Sequence, residues 1–150
     1  MYNASTLAKI GSFEWPYEGW GMTHNDTSIF VSTGSANIYE VDPATFKVKR
    51  TIGVYSNMGY QSNINELEWV NGKIFANIYT QNDIIVIDPN SGQIIGKLDC
   101  TNLLAKAGIV SSPELIDPGY VLNGIAFNKE NNIFYLTGKC WPVVIACKIQ

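Results

Sequence analysis

Chemistry-bearing side chains are few in these 150 residues, and their spacing excludes more than it offers. There is one histidine, His24, in a polar stretch, and there are three cysteines, Cys100, Cys140 and Cys147. A histidine-based zinc site or a Ser/His/Asp triad has almost no material here, and no cysteine has metal-ligand spacing, so neither a metal nor another cofactor is expected. His24 reads as a solvated turn residue. The cysteines allow at most one internal disulfide and leave an odd thiol. Glu18, Glu66 and Glu68 read as ion-paired or solvated carboxylates; of these, Glu18 has the better claim to the rim of a channel. Asn3-Ala4-Ser5 and Asn25-Asp26-Thr27 fit the glycosylation sequon, which counts only in a secreted chain.

The elements that must position such residues come from a repeat. Trp20-Gly21-Met22, Asn65-Glu66-Leu67 and Asn123-Gly124-Ile125 open three copies, each followed by an Ile-Phe pair at 29/30, 74/75 and 133/134. The first step is 45 residues (20 to 65, and 29 to 74) and the second 58 or 59 (65 to 123, 74 to 133), the excess lying in one insertion. Runs of Val, Ile, Tyr and Phe, four to eight residues long, predict four short strands per copy, and helix signals are nearly absent. In the first copy the strands fall near Gly21–His24, Ser28–Ser32, Asn37–Val41 and Lys47–Val54. In the second they fall near Ile64–Val70, Lys73–Tyr79, Asp83–Ile87 and Gln93–Leu98, and in the third near Val121–Phe127, Ile133–Thr137 and Val143–Lys148. Asn71-Gly72 is a two-residue hairpin signal, and Asp42-Pro43 and Asp88-Pro89 mark turns that the aspartate side chain can cap.

A four-stranded unit repeating every 40 to 50 residues is the sequence signature of a propeller blade, because one small twisted sheet cannot bury both faces until neighbours stack on it. The expected fold class is therefore all-β, a β-propeller with about three four-stranded blades. Residues 1–15 align with the outer strand of a blade whose other strands are missing, so truncation at the N-terminus is expected. Residues 16–58 and 59–100 read as blades, 101–120 as an insertion loop and 121–150 as a last, incomplete blade. Trp20, Asn65 and Asn123 occupy equivalent positions at the start of the innermost strands, where blades converge on a shared channel mouth. The chain is 46% hydrophobic and 15% charged, which argues for a folded unit. A net charge of −3 without a basic cluster argues against a nucleic-acid partner, and no apolar run is long enough for a helical membrane span.

The chain resembles the plant and bacterial glutaminyl cyclotransferases, which are five-bladed propellers. The resemblance runs through Tyr17-Glu18-Gly19-Trp20-Gly21-Met22-Thr23, then Asn65-Glu66-Leu67-Glu68-Trp69-Val70-Asn71-Gly72-Lys73-Ile74-Phe75-Ala76-Asn77 and Ile87-Asp88-Pro89. It continues in Val121-Leu122-Asn123-Gly124-Ile125-Ala126 and ends in Leu136-Thr137-Gly138-Lys139-Cys140-Trp141-Pro142. It implies metal-independent conversion of the N-terminal glutamine of a peptide or protein to pyroglutamate, with release of ammonia. Carried over by position, it implies that Trp20 lines the substrate pocket, that Asn65 binds the glutamine and that Lys139 is a pocket lysine. Tyr79 stands where the family usually has tryptophan. The family's acid/base glutamate falls upstream of Met1, so no catalytic residue is assigned within the chain. Family members are commonly secretory or periplasmic, which fits the two sequons.

Each assignment has a plainer counterpart. Trp20 can pack between blades, Asn65 and Asn123 can satisfy backbone groups at a strand entrance, and Lys139 can be an exposed cation. The functional alternative to an enzyme is a non-catalytic propeller piece that binds peptides or a protein partner.

Overall fold

A computed structural model describes residues 1–109 and 119–149. Three antiparallel sheets follow one another along the chain. Sheet I is β1 (Gly21–His24), β2 (Ile29–Ser32), β3 (Asn37–Val41) and β4 (Val48–Gly53), in that spatial order. A small hairpin, β5 (Tyr55–Ser56) with β6 (Gly59–Tyr60), leads into sheet II, which holds β7 (Ile64–Val70), β8 (Lys73–Ile78), β9 (Asp83–Ile87) and β10 (Ile94–Asp99). A four-residue helix, α1 (Leu103–Lys106), precedes sheet III, which holds β11 (Leu122–Asn128), β12 (Ile133–Gly138) and β13 (Ile145–Cys147).

Local chemistry accounts for the connections. Asn71 and Gly72 both adopt positive φ, 48° and 82°, as the tight hairpin between β7 and β8 demands. Asp42 Oδ1 accepts from the N–H groups of Ala44 and Thr45, and Asp88 accepts from the Ser91 hydroxyl, so both Asp-Pro turns are closed by their aspartates. The strands match expectation to within a residue or two. Residues 1–15 differ, because they form no strand: apart from a Tyr2–Lys9 bridge they have no ladder partner, and a strand exists only through its ladder. Residues 13–17 are held by rings instead. Phe13 stacks on Phe46, Tyr17 stacks on Tyr39, and Trp15 lies edge-on to Tyr17, Tyr39 and Phe46. Of the segment expected as an insertion, 101–120, residues 101–109 contain α1, and 110–118 lie outside the described residues.

Two apolar clusters fill the gaps between sheets. Between I and II, Phe30, Ile38, Ile64, Leu67, Ile74 and Ile87 are fully buried or nearly so, with Trp69 stacked flat on Phe30 at 5.2 Å. Between II and III, Val70, Ile84, Leu122, Ile125, Phe134 and Leu136 play the same part. At about 1.5–3 kcal/mol for each large apolar side chain removed from water, these layers hold the sheets together.

Strands β1, β7 and β11, each at one edge of its sheet, lie side by side without a common ladder. Their facing backbone groups therefore need side-chain partners. Thr23 Oγ1 accepts from Trp69 N–H at 2.8 Å, and the Ser32 hydroxyl donates to the Asn65 carbonyl. One sheet further on, Glu68 Oε1 accepts from Phe127 N–H at 2.8 Å, Glu66 Oε2 from Ile125 N–H at 3.0 Å and Asn77 Oδ1 from Gly124 N–H at 2.9 Å. Thr23 and Glu68 are equivalent positions 45 residues apart, so the repeat carries the joint as well as the strands.

Candidate active site

The starts of β1 and β7 and the ends of β8 and β12 meet at one end of the stacked sheets. Trp20 is fixed there by its own N–H donating to the Ser32 carbonyl at 3.0 Å, which continues the β1–β2 ladder by one residue. Its indole lies over Gly34, where an added Cβ would come within 2.6 Å of the ring. Gly34 also has φ of +74°, so only glycine serves this position without strain. The backbone of Gly34 joins the sheets: its N–H donates to the Ile64 carbonyl and its carbonyl accepts from Asn63 N–H. The Asn63 carbonyl in turn accepts from Tyr79 N–H at 2.8 Å. One short chain of backbone hydrogen bonds thus sets Trp20 and Tyr79 relative to each other. Their rings meet edge to face, 5.4 Å apart at 72°.

Lys139 comes from sheet III. Its N–H donates to the Val121 carbonyl at 2.9 Å, and its ammonium stands 5.0 Å from the centre of the Tyr79 ring. Together Glu18, Gly19, Trp20, Asn65, Tyr79 and Lys139 line a cavity of about 310 Å³. All four residues singled out for substrate contact, Trp20, Asn65, Tyr79 and Lys139, lie on its wall, and Glu18 is its carboxylate. Asn65 is 4% exposed. Its carbonyl is engaged by Ser32, and among the described residues its side-chain amide makes no hydrogen bond. The wall thus offers two aromatic rings, one cation, one carboxylate and one amide with free donor and acceptor capacity. That set suits a small ligand carrying an amine and a carboxamide.

Three other candidates lie elsewhere. Asn123, equivalent to Asn65 in the repeat, does not line the cavity, and its Oδ1 is buried without a partner among the described residues. The reading of Glu66 and Glu68 as ion-paired or solvated is overturned. Neither forms a salt bridge among the described residues, and both are partly buried against β11, accepting its backbone N–H groups. Burial pushes the Glu66 carboxyl up to about 8, with Ile125 N–H opposing and the Glu68 charge adding. Glu68 is raised too, again by burial first, while Phe127 N–H works against the rise. The sequence held a usable signal: 66 and 68 point to the same face of an inner strand, where Thr23 already stands in the first copy. A larger cavity of about 490 Å³ lies between α1 and β13, but its lining is mostly apolar and includes none of the expected residues.

The glutamine cyclotransferase family profile matches residues 1–149. The chain belongs to the glutamine cyclotransferase family. A glutaminyl-peptide cyclotransferase of Arabidopsis thaliana is 31% identical over 150 residues, which are 99% of this chain and 46% of that protein. The crystal structure of Myxococcus xanthus glutaminyl cyclase superposes with a TM-score of 0.77 at 31% identity, over 92% of this chain and 59% of that one. The chain therefore spans about half the length of the relatives it matches. The all-β architecture of successive antiparallel sheets is consistent with a β-propeller-like glutaminyl cyclase fold. A fold likeness alone extends to Kluyveromyces lactis Hsv2, at TM-score 0.51 and 11% identity.

Proposed function

We propose that this chain is the substrate-orienting part of a glutaminyl-peptide cyclotransferase, acting on peptides or proteins that begin with glutamine. The observation that carries the proposal is the meeting of Trp20, Asn65, Tyr79 and Lys139 on one wall, in a chain of this family. In this reading sheets I to III are blades of a five-bladed ring, and the acid/base glutamate comes from a blade outside the 150 residues.

The reaction is an intramolecular displacement. The substrate's α-amine attacks its own γ-carboxamide carbon, a C–N bond forms, the bond to the amide nitrogen breaks, and ammonia leaves. The amine's proton must reach the departing nitrogen, and a single poised carboxylate can carry it, since an α-amine has an ordinary pKa near 8. The site's first task is geometric: an extended glutamine side chain has to fold back, and an oriented intramolecular attack recovers several kcal/mol of the barrier. Trp20 and Tyr79 supply the walls that hold the methylenes. Asn65 pairs with the carboxamide, and Lys139 faces the oxygen on which negative charge develops. A tyrosine at 79 in place of the family's tryptophan keeps an aromatic wall, changes its width and adds a hydroxyl.

The assay is ammonia release from a Gln-initiated peptide, read together with pyroglutamate formation. The 150 residues alone are expected to release little or none, and a chain extended upstream to the length of its relatives is expected to release both in equal amounts. Full activity from the 150 residues, lost on Glu18→Gln, would place the general base at the cavity carboxylate instead. Peptide binding without turnover in the extended chain would favour the binding-module reading.

A further inference from the structure

The cysteines take no part in the reaction described above, yet two of them border the same apolar cluster. Cys100 sits where β10 passes into α1: its N–H donates to the Asn82 carbonyl at 2.8 Å and its carbonyl accepts from Leu103 N–H at 3.0 Å. Cys147 ends β13, opposite Phe134 of β12. Both side chains are partly buried against the same apolar cluster between sheets II and III. The cavity between α1 and β13 has Leu103, three residues beyond Cys100, and Cys147 itself in its lining. Cys140 is apart from them, exposed in the turn after β12.

We propose that Cys100 and Cys147 are a redox pair that closes into a disulfide, fastening β13 to the junction of β10 and α1, with Cys140 remaining a free thiol. The fastening acts on a weakly held element, since β13 is three residues long and pairs on one side only. Burial pushes the Cys100 thiol up to about 11, and a negative charge on Cys147 adds to the rise. Burial raises the Cys147 thiol as well. Asp83 and Asp99 add to the rise at Cys100 and Lys106 opposes it. Both thiols are therefore mostly protonated near neutrality, and closure is slow there and faster at alkaline pH.

The oxidant is a low-molecular-weight disulfide such as oxidised glutathione. One protein thiolate attacks it, forming a mixed disulfide and releasing one glutathione thiolate. The second protein thiolate attacks the protein sulfur of that mixed disulfide and releases the other. The protein dithiol loses two electrons, the glutathione disulfide gains them, and the two thiol protons end on the two released glutathiones.

The test is equilibration of the purified protein with oxidised and reduced glutathione at pH 8.5, then alkylation, intact mass and peptide mapping. The expected product is lighter by two hydrogens, keeps one alkylatable thiol at Cys140 and yields a peptide joining Cys100 to Cys147. Because the bridge closes a loop of 48 residues, from Cys100 to Cys147, its melting point should rise by on the order of 10 °C. Cys140→Ser should form the same bridge. Three alkylatable thiols, glutathione adducts that persist on both Cys100 and Cys147, or a bridge through Cys140 would each overturn the pairing.

Discussion

Asn65→Ala is expected to weaken binding of a Gln-initiated peptide by about 100-fold while leaving the melting point within a degree or two of the parent. The two halves of this expectation come from different atoms of one residue. The Asn65 carbonyl, which accepts from Ser32 across the joint between sheets I and II, survives the substitution. The side-chain amide is the part that goes, and it makes no hydrogen bond among the described residues, so folding loses little. The ligand loses more. A substrate carboxamide in that cavity would keep its desolvation and forfeit its partner, a loss of about 1–3 kcal/mol and hence roughly 5- to 150-fold, toward the upper end because Asn65 is nearly fully buried. Isothermal titration with Gln- and Ala-initiated peptides checks this directly. Equal affinity for both peptides in the parent, or an unchanged affinity in the variant, would remove Asn65 from the substrate contacts.

The second large effect concerns pH. Glu66 sits with its carboxyl between β7 and β11, accepting from Ile125 N–H, and its pKa is pushed up to about 8 from an ordinary 4.5. Since the folded state then holds that proton more tightly than the unfolded state, the contribution to stability is complete below about pH 4.5. It fades as pH rises through about 8. Glu68, also raised, adds in the same direction, and its other neighbours are the N–H groups of Phe127 and Trp69, the Thr23 hydroxyl and the His24 charge. Glu66→Gln retains an oxygen for Ile125 N–H and cannot ionise. Urea unfolding of the variant should show a flatter pH dependence between about pH 4.5 and 8. At pH 9 it should be more stable than the parent by on the order of 5 kcal/mol. The same slope in both proteins would mean that Glu66 ionises as freely in the fold as in water.

Much of this arrangement was legible in the residues. The 45-residue step, the Asn71-Gly72 hairpin and the Asp-Pro turns are local chemistry, and local chemistry is what a sequence displays most openly. The repeat put Trp20 and Asn65 at equivalent strand starts, but Tyr79 and Lys139 joined the wall only through resemblance, since nothing in the spacing of 79 and 139 says that their side chains converge there. Gly34 gave no signal at all. Its importance comes from the indole packed on it, a contact made between segments that are adjacent only after folding. Glu66 and Glu68 were misread for a related reason. A charged residue every second position on a half-buried strand ordinarily faces water, whereas here the neighbouring strand β11 presents the N–H groups of Ile125 and Phe127 to that face. The β5–β6 hairpin and α1 are too short for any periodicity to reveal.

The most direct test of the site is a nitrogen-15 NMR titration of the protein with a short Gln-initiated peptide. The indole N–H of Trp20, the side-chain amide of Asn65 and the backbone N–H groups of Tyr79 and Lys139 should shift together, with one dissociation constant. Shifts confined to the apolar cavity between α1 and β13, or none at these four residues when the peptide is saturating, would contradict the placement of the glutamine in this cavity.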